Sequence, residues 1–487
     1  MVRSRRLAVV ALACLRLAAA APALRAKKMD RGLLKSASHR GGALAVRAAA
    51  AADAAAEAHR VSLATSTMLL VKNNIGFSSL TLASAAVGNG IGTTVLVIAL
   101  TVWMSSYGFE LMGQACDATK SRQRQAGRGA DDCTLASISS AHGLRGSGFA
   151  WEAGVVVYSW VVLVCYVPFL AGTIQPLLSN ALEGRQSAAL AWRVLRHLAT
   201  SRRDMKLAIC GCIFLPLSFL TSFKGVMAAV CTLGNFSALY FVAFSLVRSF
   251  DGSYAAGGRF FNGAPVVIPT GLFAVGAPAR LLDLVWRVSF ASSCHYASPR
   301  YHAQLRNPTM PRFRRMARIA YASLAAFYCL VAIVGSRTFG QKTAALVLEN
   351  YAVDDPLAVV ARWLYIVVAL SIYPLIFSNA ARALHRAVKR NFGEQAPYVS
   401  TVVLPFCFAI FAAALRYDDV GKLASFAGSF FVPFFALLLP GALAIMRSNQ
   451  ANAKRGRRFA VACAMPPLGL CLVFEGLRRM FFSSSAH

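Results

Sequence analysis

Apolar residues in this chain run in long unbroken blocks, and short polar or basic gaps separate them. Leu357–Asn379, Val155–Ile174, Val226–Val247 and Leu423–Met446 each have the length of a helix that crosses a hydrocarbon core, roughly 20 residues for ~30 Å. The blocks show neither the period-two alternation of half-buried strands nor the one-sided stripe of a soluble helix. In lipid, backbone polar groups must bond one another, so repeated blocks of this kind predict an all-α polytopic membrane protein. The pattern predicts about eleven spans. Their limits fall near 62–87, 90–114, 151–175, 206–222, 226–248, 283–303, 316–337, 357–381, 397–416, 421–446 and 458–481. The fourth is short. The Gly- and Pro-rich segment 249–282 predicts an irregular or re-entrant loop, and 116–149 a polar loop.

Composition agrees with the pattern. Of 487 residues, 57% are hydrophobic and 14% charged, too little polar surface to coat two or three soluble domains. The 51 Lys and Arg against 19 Asp and Glu, net +32, would in a soluble chain suggest a nucleic-acid partner. Their placement argues against one. They gather in the gaps, at Arg306–Arg318, Arg382–Arg390 and Arg447–Arg458, as a protein oriented by the positive-inside rule requires. With the start of span one on the cytosolic side, the basic loops 116–149, 303–316, 382–396 and 447–458 share that side. The opposite loops, 338–356 and 416–422, carry Glu349, Asp354, Asp355, Asp418 and Asp419. Segment 184–205 breaks the rule, with Arg185, Arg193, Arg196, Arg202 and Arg203 on the outer side. It predicts either a different span count there or an amphipathic surface helix. The twelve cysteines are scattered singly, most of them in apolar blocks, and read as buried thiols; no metal site or cofactor is expected.

Residues 1–60 differ from the rest. Arg3, Arg5 and Arg6 precede an apolar run, Leu7–Leu15, and small residues, Ala18–Ala23, in the order of a secretory signal. The stretch that follows is rich in Ala, Arg and Ser and poor in acids, as transit peptides are. Together they match the bipartite address of complex plastids, against the alternatives of a basic disordered tail or a misassigned start. The expected domains are therefore a targeting or basic segment, 1–60, and a transmembrane domain, 61–482. The expected address is an integral membrane site, with the plastid envelope, the vacuolar membrane and the plasma membrane as candidates.

Two spans carry interruptions. Lys72-Asn73-Asn74-Ile75-Gly76-Phe77-Ser78-Ser79 weakens span one, and Phe290-Ala291-Ser292-Ser293-Cys294-His295 weakens the sixth, five spans later. Gly and small polar residues compete with helix formation and leave donors and acceptors free. Secondary transporters bind substrate near the midplane where two such breaks stand at matching positions of inverted repeats. Either run alone also reads as a small-residue packing face; their matched placement points to a site. The candidate substrate residues are Asn73, Gly76, Phe77, Ser78, Ser79, Phe290, Ser292 and Ser293. Candidates for ion coupling are Lys72, Asn73, Ser371 and His295. Lys72 either stands in for a bound cation or snorkels. His295 either takes up a proton or is structural. Glu110 and Glu152, near span ends, read as interfacial.

At these residues the chain resembles the amino acid/auxin permease family, in particular its sodium-coupled neutral amino acid transporter branch. Four stretches carry the likeness in consistent order over about 62–447. They are Val71-Lys72-Asn73-Asn74-Ile75-Gly76 through Leu80-Thr81-Leu82; Leu215-Pro216-Leu217-Ser218-Phe219-Leu220 with Lys224; Cys294-His295 through Pro299, Tyr301 and Leu305 to Arg306-Asn307-Pro308-Thr309; and Phe426 to Ala444 with Pro440-Gly441-Ala442-Leu443. The resemblance implies a LeuT-type fold: inverted five-helix repeats over about 62–248 and 283–446, plus an extra helix near 458–481. It also implies symport of neutral amino acids. Aligned on Gly76, the position of the family's sodium-ligating Asn holds Lys72, with Asn73 one residue on; the family's hydroxyl ligand in the eighth helix maps to Ser371. A fixed ammonium repels Na⁺, so the reading favours H⁺ as the coupling ion or an uncoupled exchange mode, with Na⁺ as the alternative if the register shifts by one. A non-transporting amino acid receptor on the same fold is the other reading. An enzyme is not expected, because the spans show no paired acid–base or metal constellation. The expected partners are an amino acid, H⁺ or Na⁺, and the lipid bilayer.

Overall fold

The computed structural model describes residues 60–125, 134–144, 148–184, 189–219, 227–261, 271–392, 397–451 and 456–482. The expected targeting or basic segment up to residue 59, and Leu220 and Lys224 of the second family-like stretch, lie outside them. Among the described residues the fold is helical, with one isolated parallel bridge between Val61 and Leu305.

Span one forms as three pieces: α1 (Leu63–Asn74), α2 (Phe77–Leu80) and α3 (Leu82–Ala86). Ser62 caps α1, accepting the Thr65 N–H at 3.1 Å. The helix stops because Ile75 and Gly76 are extended, Gly76 at φ −155° and ψ −161°. Next come α4 (Ile91–Gln125), α5 (Leu135–Ala141) and α6 (Gly148–Leu182). α4 takes the first residues of the predicted polar loop 116–149 into helix, burying Ala115, Cys116 and Thr119. Glu110 on the same helix is buried within the protein and accepts from Arg318 Nε at 2.9 Å.

Segment 184–205 contains α7 (Leu190–Thr200), which buries none of its residues and exposes Leu190, Val194 and Leu195 beside its arginines. This is the amphipathic surface helix of the two alternatives. Then follow α8 (Arg202–Ala208), a π-helical turn (Ile209–Phe214) and α9 (Leu215–Ser218). Arg202 Nε and Lys206 Nζ reach Asp418 at 3.3 and 2.6 Å, so these basic residues lie with the acidic loop 416–422. The pairing accounts for positive charge on that side. Asp418 titrates below the usual carboxylate range because these cations outweigh its desolvation.

The remaining helices are α10 (Met227–Phe250), α11 (Pro278–Ala291), α12 (Ser298–Gln304), α13 (Met310–Phe339), α14 (Pro356–Phe392), α15 (Leu404–Arg416), α16 (Val420–Pro433), α17 (Leu439–Ala451) and α18 (Arg457–Phe482). Among the described residues eight helices are long and apolar enough to cross a membrane. The predicted first, fourth and sixth spans fall outside that set. Each is interrupted: at Ile75–Gly76, by the π turn, and between α11 and α12.

The loop 249–282 packs as an ordered cap where it is described. Gly90 and Gly92 donate to the carbonyls of Ala274 and Leu272 at 2.8 and 2.7 Å. A Cβ on Gly90 would collide with this backbone, which is why glycine stands there. At its other end, buried Asp355 accepts from Arg248 at 2.7 and 2.9 Å and from the Tyr254 hydroxyl at 3.1 Å.

Candidate functional site

The two sequence interruptions become two helix breaks that meet. α1 ends at Asn74 and α11 at Ala291, and a hydroxyl from a third helix bridges the ends: Tyr328 Oη on α13 lies 2.8 Å from the Asn74 carbonyl and 2.7 Å from the Ala291 carbonyl. Asn74 Nδ2 reaches Cys294 Sγ at 3.2 Å across the same seam. Tyr321 donates to the Ser292 carbonyl at 3.3 Å, and Tyr158 on α6 to the Ser293 carbonyl at 3.4 Å. A helix end leaves carbonyls without intrahelical partners, and buried ones must find others. Here buried tyrosines supply them.

Between the breaks lies a cavity of about 50 Å³. By the rule that ~10–15 Å³ of this kind of volume holds one water, it has room for only a few waters. Asn73, Gly76, Phe77 and Ser78 line it from the first break, and Phe290 and Ser293 from the second. Phe77 packs against Tyr166 and Phe290 with ring centroids 4.9 and 6.1 Å apart. A Cβ on Gly76 would meet the Tyr166 hydroxyl at 3.5 Å, an ordinary contact. Gly76 therefore keeps space open rather than serving a backbone need, since its φ is not left-handed.

The other predicted residues point elsewhere. The Ser79 hydroxyl donates to the Gly76 carbonyl at 2.7 Å, locking the turn into α2 from behind. Ser292 Oγ is 2.9 Å from Ser105 Oγ on α4. His295 is fully buried against the same helix, its Nε2 2.8 Å from the Ser105 carbonyl. A carbonyl can only accept, so Nε2 carries the proton. Among the described residues, Nδ1 has no hydrogen-bond partner. Ser371 donates to its own helix, at Val368, and it is Ile372 and Ile376 of α14 that face the cavity. Lys72 is buried and faces α10, where a Cβ on Gly234 would overlap its side chain.

The cavity also takes Tyr158, Val162 and Tyr166 from α6 and Tyr296 from the turn before α12. None of these was anticipated. The first three recur at every fourth residue, one stripe of a helix. Two phenols in an otherwise apolar block were the available sign.

Beyond α2 a hydrogen-bond network ties the two broken spans together. Arg287 on α11 donates to the Thr81 carbonyl at 3.1 Å, to Ser84 Oγ at 2.8 Å and to Ser425 Oγ on α16 at 3.1 Å. Asp283 pairs with the same guanidinium at 2.9 Å and also bonds Ser425. One side chain thus joins the first broken span, the second broken span and α16.

Comparison with known proteins gives this geometry a family. A Xenopus tropicalis protein assigned by its name to the sodium-coupled neutral amino acid transporters is 22% identical over 57% of this chain and 61% of its own length. Arabidopsis thaliana amino acid transporter AVT1B is 24% identical over 38% of this chain and 35% of its own. Mouse solute carrier family 38 member 8 is 23% identical over 39% and 45% respectively. The matches thus span less than two thirds of the length of these relatives. The profile of the transmembrane amino acid transporter proteins matches residues 59–482, both breaks and every helix from α1 to α18 included, and the chain belongs to that family.

Proposed function

We propose that this protein carries neutral amino acids across a membrane by alternating access, with the cavity between the two helix breaks as the substrate site. The observation that carries the proposal is the meeting of the breaks around Asn73, Gly76, Phe77, Ser78, Phe290 and Ser293. The substrate carboxylate is held by backbone N–H groups at the start of α2, and its ammonium by carbonyls around Phe290–Ser293. These backbone groups replace the hydration of a zwitterion without placing a fixed charge in the membrane, the ammonium using the carbonyl lone pairs that the tyrosine hydroxyls leave open. The Phe77, Phe290, Ile372 and Ile376 side chains give the cavity an apolar wall, which suits a neutral side chain. Family membership and the names of the relatives support an amino acid as cargo. The Arg287 bridge acts as the closed outer gate, and rocking of one repeat of a LeuT-type inverted pair against the other opens it.

For coupling we favour H⁺ over Na⁺. Lys72 is buried one residue from Asn73, and an ammonium in a low-dielectric interior opposes a second cation nearby. His295 offers an unpartnered Nδ1 lone pair for the proton. Uptake of labelled L-alanine by reconstituted protein tests the whole reading. It should persist without Na⁺, collapse with a protonophore, and vanish in Gly76→Val at unchanged expression. His295→Gln, which keeps an N–H for Ser105 but cannot titrate, should flatten the pH dependence. Strict Na⁺ dependence would overturn the coupling assignment, and normal uptake by Gly76→Val the site; alanine binding without any uptake would favour a receptor.

A further inference from the structure

A second, larger opening adjoins the cavity. Its volume is about 260 Å³, close to the lower end of ligand pockets at ~300 Å³. Tyr296 belongs to the wall of both spaces, and its ring packs edge-on against Tyr158 of the cavity with centroids 6.1 Å apart. An amino acid leaving the small cavity past Tyr296 therefore enters this vestibule. The vestibule lies among residues from the ends that face the basic loops: Thr134, Arg300, Arg382 and Arg386.

Its charges are unbalanced. Arg300, Arg382 and Arg386 contribute guanidinium groups against the single carboxylate of Glu152. Glu152 is only 16% exposed, and Arg386, with which it forms an ion pair, is 52% exposed and 3.8 Å away. Such a loose, half-solvated pair contributes little and is cheap to exchange. Arg382 is steadied by Asn379 Oδ1 at 2.8 Å, and Arg300 lies over the Tyr301 ring at 5.8 Å. Held guanidinium groups are suited to bidentate binding of a carboxylate, and a net positive recess raises the local concentration of anionic groups.

We propose that this vestibule is a second binding station for zwitterionic amino acids. The arginines take the carboxylate, and Glu152 exchanges Arg386 for the ligand ammonium. Tyr296 is the partition between the station and the cavity. The proposal rests on the reading of the cavity as an amino acid site, but it concerns different residues.

The test places a reporter thiol in the vestibule of the full-length reconstituted protein, Val155→Cys, and follows its maleimide labelling rate above the parent chain's background. L-alanine at ten times its dissociation constant should slow labelling about tenfold by occupancy alone. The slowing should survive when Gly76→Val, or Ile376→Phe as a second blocking substitution, fills the cavity. Arg382→Gln with Arg386→Gln should remove it, and Lys at both positions should restore part of it. Protection that disappears when the cavity is filled would overturn the proposal, as would no protection in either background; Thr134→Cys is the second reporter should Val155→Cys fail to fold. A failure of the cavity reading shows separately, as normal uptake by Gly76→Val.

Discussion

The Tyr328 hydroxyl donates to the Asn74 carbonyl oxygen at 2.8 Å, at the point where α1 ends. Because Tyr328 Oη also lies 2.7 Å from the Ala291 carbonyl oxygen, one phenol on α13 shares its proton between the ends of both broken helices. Removing that hydroxyl takes away the one donor that the two buried carbonyls share, a cost of about 1–3 kcal/mol. Tyr328→Phe should therefore lower the apparent melting temperature in detergent and cut alanine uptake more than it cuts expression. Wild-type stability with wild-type uptake would show that the two ends hold without the bridge.

Gly76 separates a backbone requirement from a space requirement. Its conformation is open to any residue, and a Cβ there meets Tyr166 at ordinary contact distance. Gly76→Ala should keep substantial uptake, while the branched Gly76→Val, which fills a cavity of about 50 Å³, should abolish it. Equal loss in both variants, measured in proteoliposomes, would place the requirement in the backbone instead.

Lys72 and Gly234 are matched in shape. A methyl group on Gly234 overlaps the buried lysine side chain, so Gly234→Ala should destabilise by about 1–3 kcal/mol, the usual range for overpacking. Shortening the partner makes room. A double-mutant cycle with Lys72→Ala should show the two substitutions less damaging together than their sum. Simple additivity in thermal unfolding would mean that the lysine lies elsewhere.

Asp355 gives the fold a pH-dependent anchor outside the spans. Burial raises its carboxyl pKa, but Arg248, the Leu357 N–H and the Tyr254 hydroxyl outweigh burial and hold it below the ordinary value. A carboxyl with a depressed folded pKa stabilises above its unfolded pKa, ~4, and loses that contribution as pH falls through the folded value. Asp355→Asn should cost about 1–3 kcal/mol near neutral pH, since Arg248 loses one charged acceptor but keeps Asp251 at 2.6 Å. It should also flatten the loss of stability below about pH 4. An unchanged acid limb in the variant would assign that limb to other carboxylates.

The sequence alone determined that this is a helical membrane protein, because apolar blocks of bilayer length leave the backbone no other way to satisfy its hydrogen bonds. It also located both helix breaks, since Gly76 and the Ser292-Ser293 pair weaken helices through local chemistry that needs no partner. What a residue faces is a different kind of fact. Asn73 and Lys72 are neighbours in the chain, yet one lines the cavity and the other packs on α10, because adjacent helical residues point about 100° apart. His295 and Ser292 turned toward Ser105 for the same reason. The cavity's other wall, from Tyr158 to Tyr166, and the Tyr296 partition became visible only once α6 and α14 were packed against the breaks. Local propensity decides where a helix stops; only the packing of distant segments decides which side chains surround the stop.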